Sequence, residues 1–527
     1  MVTRISTAAN TNAIVQRMLE QQQRVNDLQT QAATGVKSQD YVGISQDVSR
    51  LLSVENERDR IQNYANNNAS VATSLKTQLT AVKSIDDAAR SMRSELITFS
   101  GHDLSSQSPT TQLSAQDIQE KAFSALSNIA YFLNQKVDGK YVFGGGRSDT
   151  PPVDFPYDSL KKFQETFDGI SKVFPSTRVA NLVDMSFQSQ TVTYAPKTVG
   201  TGTYSEMTNG AGAGSFVTQS LTGSQFGSMV FTNVGANGKI TATTPGAFKA
   251  LQVGQSFFIN NTDPSQGGST ANNGVYTITA VSSDGNTITL DQNVNAGTEP
   301  VGSASIGLTV PNGTTMAMTG STAGNNGAYT IKWPSNADLT AAGYNLGNGQ
   351  LVDGSTLLIS PQTVSNATEV ISLDSTSFLK GSSLTTKQKI SDTQFINLDV
   401  TGLDPAFEKV IRGLGVLAQG DLLNNPTRAN DALTFINDAI EHSSLQPTEM
   451  RSDLQNVQDR ISLTLKQLND TKSQQSEFLT FLNTRKDEIE GADPTETAVR
   501  LNSESSSLQV SYATLSRISK LSLLDYL

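Results

Sequence analysis

Cysteine does not occur in this chain of 527 residues. Its absence excludes disulfides, thiolate metal centres and cysteine nucleophiles. Histidine is almost missing, with only His102 and His442 present. Neither has a partner histidine or a nucleophile motif beside it, so each reads as a solvated surface residue. Cations are short as well: 38 Lys and Arg stand against 49 Asp and Glu, a net charge of −11. Phosphate neutralisation needs clustered Lys and Arg, so no nucleic-acid partner is expected. Apolar runs are short, none approaching the ~20 residues of a membrane-spanning helix, and no membrane partner is expected either. Met1-Val2-Thr3-Arg4 leads into no apolar stretch, which argues against a cleaved secretory signal. The run Gly144-Gly145-Gly146 belongs to no GxxxxGK[ST] loop and precedes Pro151-Pro152 rather than a helix, so it reads as a flexible junction. The Asn/Asp/Gly turns lack EF-hand spacing. No catalytic residue, cofactor or metal is assigned, and the chain is not expected to be an enzyme.

What the chain does have is two helical ends around a different middle. Hydrophobic residues make up 36% of it and the mean hydropathy is −0.29. That is a thin supply for globular cores, but long paired helices need only one apolar stripe each. Positions Ile61, Asn68, Leu75, Val82, Ala89 and Leu96 recur every seven residues, joined by Tyr64, Val71, Gln78, Ile85 and Met92. Nine of these eleven are apolar or aromatic, which is a coiled-coil seam. The other end answers with Leu454, Ile461, Leu468, Leu482 and Ile489, flanked by Val457 and Phe478 and interrupted by Thr464 and Gln475. Two shorter helices are expected. One starts at a capping-box-like Ser114 and Asp117 and runs through Ile118, Ala122, Ala125, Ile129 and Leu133 to Val137. The other follows an Asp404-Pro405 cap, with Phe407, Val410, Ile411, Leu414 and Leu417 along it.

The outermost segments carry weaker stripes. Ile14, Met18, Val25, Leu28 and Ala32 align with Gln21 among them; Leu501, Leu508 and Leu515 repeat every seven, with Tyr512 and Ile518 beside them. A lone helix with one narrow stripe is marginal in water. These termini are therefore expected to be mobile in the monomer and to fold when neighbouring subunits cover the stripes. The candidate assembly interface is Ile14, Met18, Val25, Leu28, Leu501, Leu508, Tyr512, Leu515 and Ile518. The alternative is an ordinary bundle helix docked within the monomer.

Between the ends, Gly, Ser, Thr and Asn rise and apolar residues alternate. Val275 to Val281, Asp284-Gly285 and Thr287 to Leu290 spell a hairpin, and Asn237-Gly238 marks another turn. Ser269 to Ile278 (STANNGVYTI) returns as Ser321 to Ile331 (STAGNNGAYTI), which predicts two related β units.

The fold class expected is multidomain α + β: N- and C-terminal helices paired into a coiled-coil rod, with an inserted, mainly antiparallel β region of two related units. The boundaries fall at residues 1–148 (helical arm), 149–402 (β insert) and 403–527 (returning helical arm).

Three stretches carry a resemblance to a known family. Gln31-Ala32-Ala33-Thr34-Gly35-Val36-Lys37 is similar to the turn after the first helix of the bacterial flagellin superfamily. Gly139-Lys140-Tyr141-Val142-Phe143-Gly144-Gly145 resembles the strand that follows the rod helices in that superfamily's hook–filament junction branch. Asp493 to Leu501 through Leu508 to Tyr512, ending Leu523-Leu524-Asp525-Tyr526-Leu527, resembles its C-terminal helix. Ser38-Gln39-Asp40-Tyr41 departs from the pattern, and the likeness does not cover the β middle. The resemblance implies a structural subunit of the bacterial flagellum that polymerises through terminal helices at the hook–filament junction. It implies an extracellular location reached by flagellar type III export, without a cleaved signal. The implied partners are further copies of itself, the hook-side junction protein, flagellin and an export chaperone. A filament flagellin is the alternative, and a coiled-coil stalk adhesin the second.

Overall fold

The computed structural model describes residues 2–101, 108–182, 185–199, 202–209, 217–221, 226–261, 272–300, 304–321, 324, 326–330, 333, 356–359, 370–375, 378–443 and 449–524. His102 lies outside them. By its contacts the chain divides into two units, residues 1–72 with 389–396 and 467–527, and residues 73–388 with 397–466.

The first unit is helical. It holds α1 (Val2–Thr34), a short 3-10 turn (Tyr41–Ile44), the start of α2 (Val48–Ser100), the end of α8 (Leu454–Glu490) and α9 (Pro494–Leu524). The α2 and α8 segments run antiparallel, with Lys486 against Glu55 and Gln475 against Asn68. Ile61, Asn68, Leu468, Gln475, Leu482 and Ile489 are all buried, as the heptads predict. Phe478 departs from the prediction: it is 40% exposed, its ring stacked on the exposed Phe481. Thr471, three residues after Leu468, takes the buried place instead. A helix advances 3.6 residues per turn, so a 3.5-residue register drifts along a straight pair.

The polar seam positions have a definite task. Asn68 Nδ2 donates to the carbonyl of Ile390 at 2.9 Å and to Gln475 Oε1 at 3.1 Å, and Gln475 Nε2 donates to the same carbonyl at 2.8 Å. Ile390 sits in the turn of a ribbon made by β17 (Thr386–Lys389) and β18 (Phe395–Leu398). The seam is polar where it receives a peptide group, since a buried carbonyl left unpaired is costly.

The second unit mixes helix and sheet. It contains the remainder of α2 and α8, with α3 (Pro109–Leu133), α4 (Leu160–Thr166), α5 (Arg178–Leu182), α6 (Pro405–Ala418) and α7 (Thr427–Ile440). Leu75, Val82, Ala89, Leu96, Ile85, Met92, Leu454, Val457 and Ile461 are buried here. Helix α3 begins earlier than Ser114. Ser108 caps it by accepting from Thr111 N, Pro109 follows at the first turn, and the helix ends at Leu133. The expected cap of α6 is present, with Asp404 accepting from Ala406 N ahead of Pro405.

Next comes a ribbon of β1 (Lys136–Val137) and β2 (Lys140–Tyr141), turning at Asp138-Gly139, both with positive φ. The glycine run that follows is a packed turn rather than flexible filler. Gly145 sits at φ +60°, and a Cβ there would come within 2.3 Å of the Ser382 carbonyl.

All described β pairings are antiparallel. The strands in chain order are β3 (Met185–Val199), β4 (Gly202–Asn209), β5 (Val217–Leu221), β6 (Ser228–Val234), β7 (Asn237–Ala242), β8 (Ser256–Asn261) and β9 (Gly274–Val281). After them come β10 (Thr287–Leu290), β11 (Gly297–Pro300), β12 (Ala304–Thr309), β13 (Thr315–Thr319), β14 (Gly327–Thr330), β15 (Thr356–Ile359) and β16 (Val370–Ser375). One sheet has the order β11-β6-β7-β10-β9-β8-β12-β5 and the other β14-β13-β16-β3-β4-β15. The first closes over Phe226, Phe231, Phe248, Phe257, Tyr276 and Ile278. The predicted hairpin is β9 and β10. The other turn is Gly235-Ala236, because Asn237 already pairs with Val234. The two repeat copies lead into β9 and β14, one in each sheet, each strand opening on the Gly of an Asn-Gly pair.

Candidate assembly interface

Helix α1 has no acidic residue in its first turn and no basic residue in its last, and carries only its narrow stripe. Its neighbour is α9, running antiparallel. Arg24 Nε meets Glu504 at 3.3 Å, Gln21 Nε2 donates to Ser507 Oγ at 3.0 Å, and Ser511 Oγ donates to Gln21 Oε1 at 2.9 Å. Gln21, the polar residue within the stripe, is thus bonded on both sides of its amide. The ion pair is half exposed and worth about 0.2–1 kcal/mol, so the apolar seam must hold the pair together.

The structure brings most of the predicted interface together, within one chain. Met18 and Val25 are buried, and Ile14, Leu28, Leu501, Leu508 and Leu515 are half-buried along the two facing stripes. Tyr512 is 48% exposed and turns away from the seam. Ile518 lies on α9, and its side chain is outside the described ones. The pair also has an outer surface that the heptad reading did not single out. Leu19 on α1 is 60% exposed, and Val499 and Val510 on α9 are 64% and 65% exposed. Eleven residues are three helical turns, so the two valines share a face. The signal in the sequence was an apolar residue off the main stripe, which single-stripe counting discards.

The segment between α1 and α2 ties the terminal pair to the end of α8. Gly35, at φ +74°, closes α1 in the left-handed conformation and its amide returns to the Gln31 carbonyl at 2.8 Å. Val36 bridges to Gly491, Lys37 N donates to the Glu490 carbonyl at 2.7 Å, and Ala492 N donates to the Gly35 carbonyl at 2.8 Å. Lys37 Nζ then reaches the Ile489 carbonyl at 2.8 Å and the Glu488 carbonyl at 3.2 Å. An ammonium on the last free carbonyls of a helix satisfies acceptors and complements the dipole. The departing residues Ser38 to Tyr41 form their own turn, in which Asp40 caps the 3-10 helix through Gly43 N.

A second polar cluster, in the other unit, was not read from the sequence. On α6 Glu408, Lys409 and Arg412 are buried with the apolar face. Arg412 forks onto Glu449 at 2.7 Å through both Nη atoms, donates to Glu408 at 3.2 Å and lies 4.3 Å over the Phe435 ring. Lys409 is paired with Asp438 and donates to the carbonyls of Met450 (2.9 Å) and Ser452 (3.1 Å). His442 is not a solvated surface residue: its side chain is 16% exposed and its Nδ1 lies 3.0 Å from Asp438. Every charge here has an opposite partner, which is how buried charges are retained. Among the described residues no group of three His, Asp or Glu is placed to hold a metal ion, and no helix is long and apolar enough to cross a membrane.

The model of the bacterial flagellin C-terminal helical region matches residues 436–527. Among solved structures, the chain is similar to a flagellar hook associated protein-3 from Legionella pneumophila at 11% identity. That match covers 83% of this chain and 98% of that one, with a TM-score of 0.30. It is similar to the flagellar junction protein FlgL from Legionella pneumophila at 11% identity, over 80% and 99% of the two chains, with a TM-score of 0.27. For FlgL from Xanthomonas campestris the values are 11%, 88% and 99%, with a TM-score of 0.20. Scores of this size carry no argument about fold. No curated protein sequence matches. The residues matched by the flagellin model, 436–527, span the end of α7 with α8 and α9.

Proposed function

We propose that this chain is a structural subunit of the bacterial flagellum that polymerises through its paired terminal helices and sits at the junction of hook and filament. The observation that carries this is the flagellin C-terminal match, which coincides with the helix that pairs with α1. Two helices bury one stripe between them and leave apolar residues outward. Val15, Leu19, Val499, Val510 and Tyr512 are what neighbouring copies would cover. Each contact is modest, but repetition around a closed ring or helix adds them up. The junction position rests on the resemblance carried by the Gly139 to Gly145 stretch and by Leu523-Leu524-Asp525-Tyr526-Leu527. Its neighbours would be a hook-side junction protein and flagellin, with an export chaperone before assembly.

Immunogold electron microscopy of intact flagella, with antibody against residues 150–399, tests the position. One narrow band between hook and filament is expected. Label along the whole filament would make the chain a flagellin. Flagella free of label, with an antibody shown to bind the native protein, would overturn the flagellar reading.

A further inference from the structure

We propose that residues 389–396, the tip of the β17–β18 ribbon, form a releasable strap on the α2–α8 pair. The inference starts from one orphan atom. Asn68 is fully buried, and its Oδ1 has no hydrogen-bond partner. A flipped amide is no remedy, because it would turn the oxygen toward two acceptors, the Ile390 carbonyl and Gln475 Oε1. With the strap seated, Asn68 Nδ2 and Gln475 Nε2 both crowd onto the single Ile390 carbonyl. With the strap lifted, Gln475 Nε2 is free to turn to Asn68 Oδ1. The existing bond from Asn68 Nδ2 to Gln475 Oε1 then completes a cyclic amide pair with all four of its inner atoms satisfied.

The other polar anchors are equally replaceable. Arg60 holds Asp392 at 3.2 Å, with side chains 51% and 43% exposed, and already has Glu57 as a second partner. Thr471 Oγ1 donates to Gln394 at 3.2 Å and has its own Gln467 carbonyl at 3.0 Å. Tyr64 reaches Asp392 at 3.1 Å through a hydroxyl that the structure leaves exposed to water. Lifting the strap therefore leaves each of Asn68, Gln475, Arg60, Thr471 and Tyr64 with another partner or with water. What seats it is apolar: the side chains of Ile390 and Ile396, 0% and 2% exposed. Release bares the strip of α2 and α8 around Asn68 and Gln475 while the two helices stay paired. This inference stands apart from the flagellar reading and needs no assembled partner to test.

Native-state hydrogen exchange of the full-length monomer decides it. Amides of residues 389–396 should exchange about 100-fold faster than those of residues 57–72 and 467–485, through an opening that low denaturant accelerates far less than global unfolding. Exchange of all three stretches together, at the rate of global unfolding, overturns the proposal. Ile390→Ala shortens an anchor without touching the amide node. It should speed strap exchange about tenfold more and leave the helical stretches protected as before. Equal loss of protection in the helices would make the strap an inseparable part of the core and overturn the proposal as well.

Discussion

Glu449 shows how much one carboxylate can weigh. Burial alone pushes its carboxyl up, but the Arg412 guanidinium outweighs burial and holds it below its ordinary value of 4.5. A carboxylate depressed in the folded state contributes stability that is fully present above its unfolded value. That contribution is lost as the pH falls below about 4.5 through the folded value. Glu449→Gln should therefore flatten the fall in melting temperature below that pH. It should also cost about 3–5 kcal/mol at neutral pH, since Arg412 stays buried without its fork partner. The single tryptophan, Trp333, is buried in the same unit and bonded through Nε1 to the Val310 carbonyl at 2.7 Å, so its fluorescence reports the transition. An unchanged acid profile would show that the pair does not couple to folding. Gly35 makes a simpler case. Nothing lies within 4 Å of a Cβ added there, so Gly35→Ala is opposed only by φ +74°. Its cost, read from denaturant melts, should be about 1 kcal/mol. None of the Arg412 cluster was legible beforehand. Glu408, Lys409 and Arg412 look like the solvated face of an amphipathic α6, and only the packing of Arg178, Asp438 and Glu449 against them makes that face interior.

At the scale of elements, period carried the prediction and register limited it. The seams of α2 and α8 were legible because heptads repeat over many turns, so isolated polar residues did not hide them. Phe478 was misplaced because apolar character alone cannot say on which side of a drifting seam a residue falls. Cap chemistry failed in a similar way: Ser114 and Asp117 imitate a start, but Ser108-Pro109 supplies the real one. The turn at Gly235-Ala236 was hidden by the stronger Asn237-Gly238 signal, since sequence does not reveal which pair the strand register leaves unpaired. The corrected register makes a paired prediction. Leu468→Asp places an unpaired charge at a position 0% exposed and should unfold the helical unit. Phe478→Asp, ten residues later, should stay within about 0.5 kcal/mol of the parent in melts followed by circular dichroism. Equal damage from both would mean that Phe478 belongs to the seam after all.

For the whole molecule, the outline of helix, sheet and returning helix was legible from composition, while the way the chain divides was not. Contacts group residues 389–396 with the terminal helices and leave the rest of the insert elsewhere, because a ribbon distant in sequence is held by Asn68 and Gln475. Pairing between the ends is likewise a long-range fact. Each terminal stripe is too weak to form a stable helix alone, and the seam that α1 presents is the one α9 covers. Deleting the chain from Arg500 onward should therefore remove more helix than the deletion contains. The 33 residues of α1 lose the partner that buries Met18 and Val25, and their helical ellipticity should disappear with it. The truncated chain should remain a monomer by light scattering, keep the Trp333 transition of the parent, and fail to incorporate into flagella. A loss of ellipticity confined to the deleted residues would show that α1 is held by something other than α9. Incorporation of the truncated chain would remove α9 from assembly.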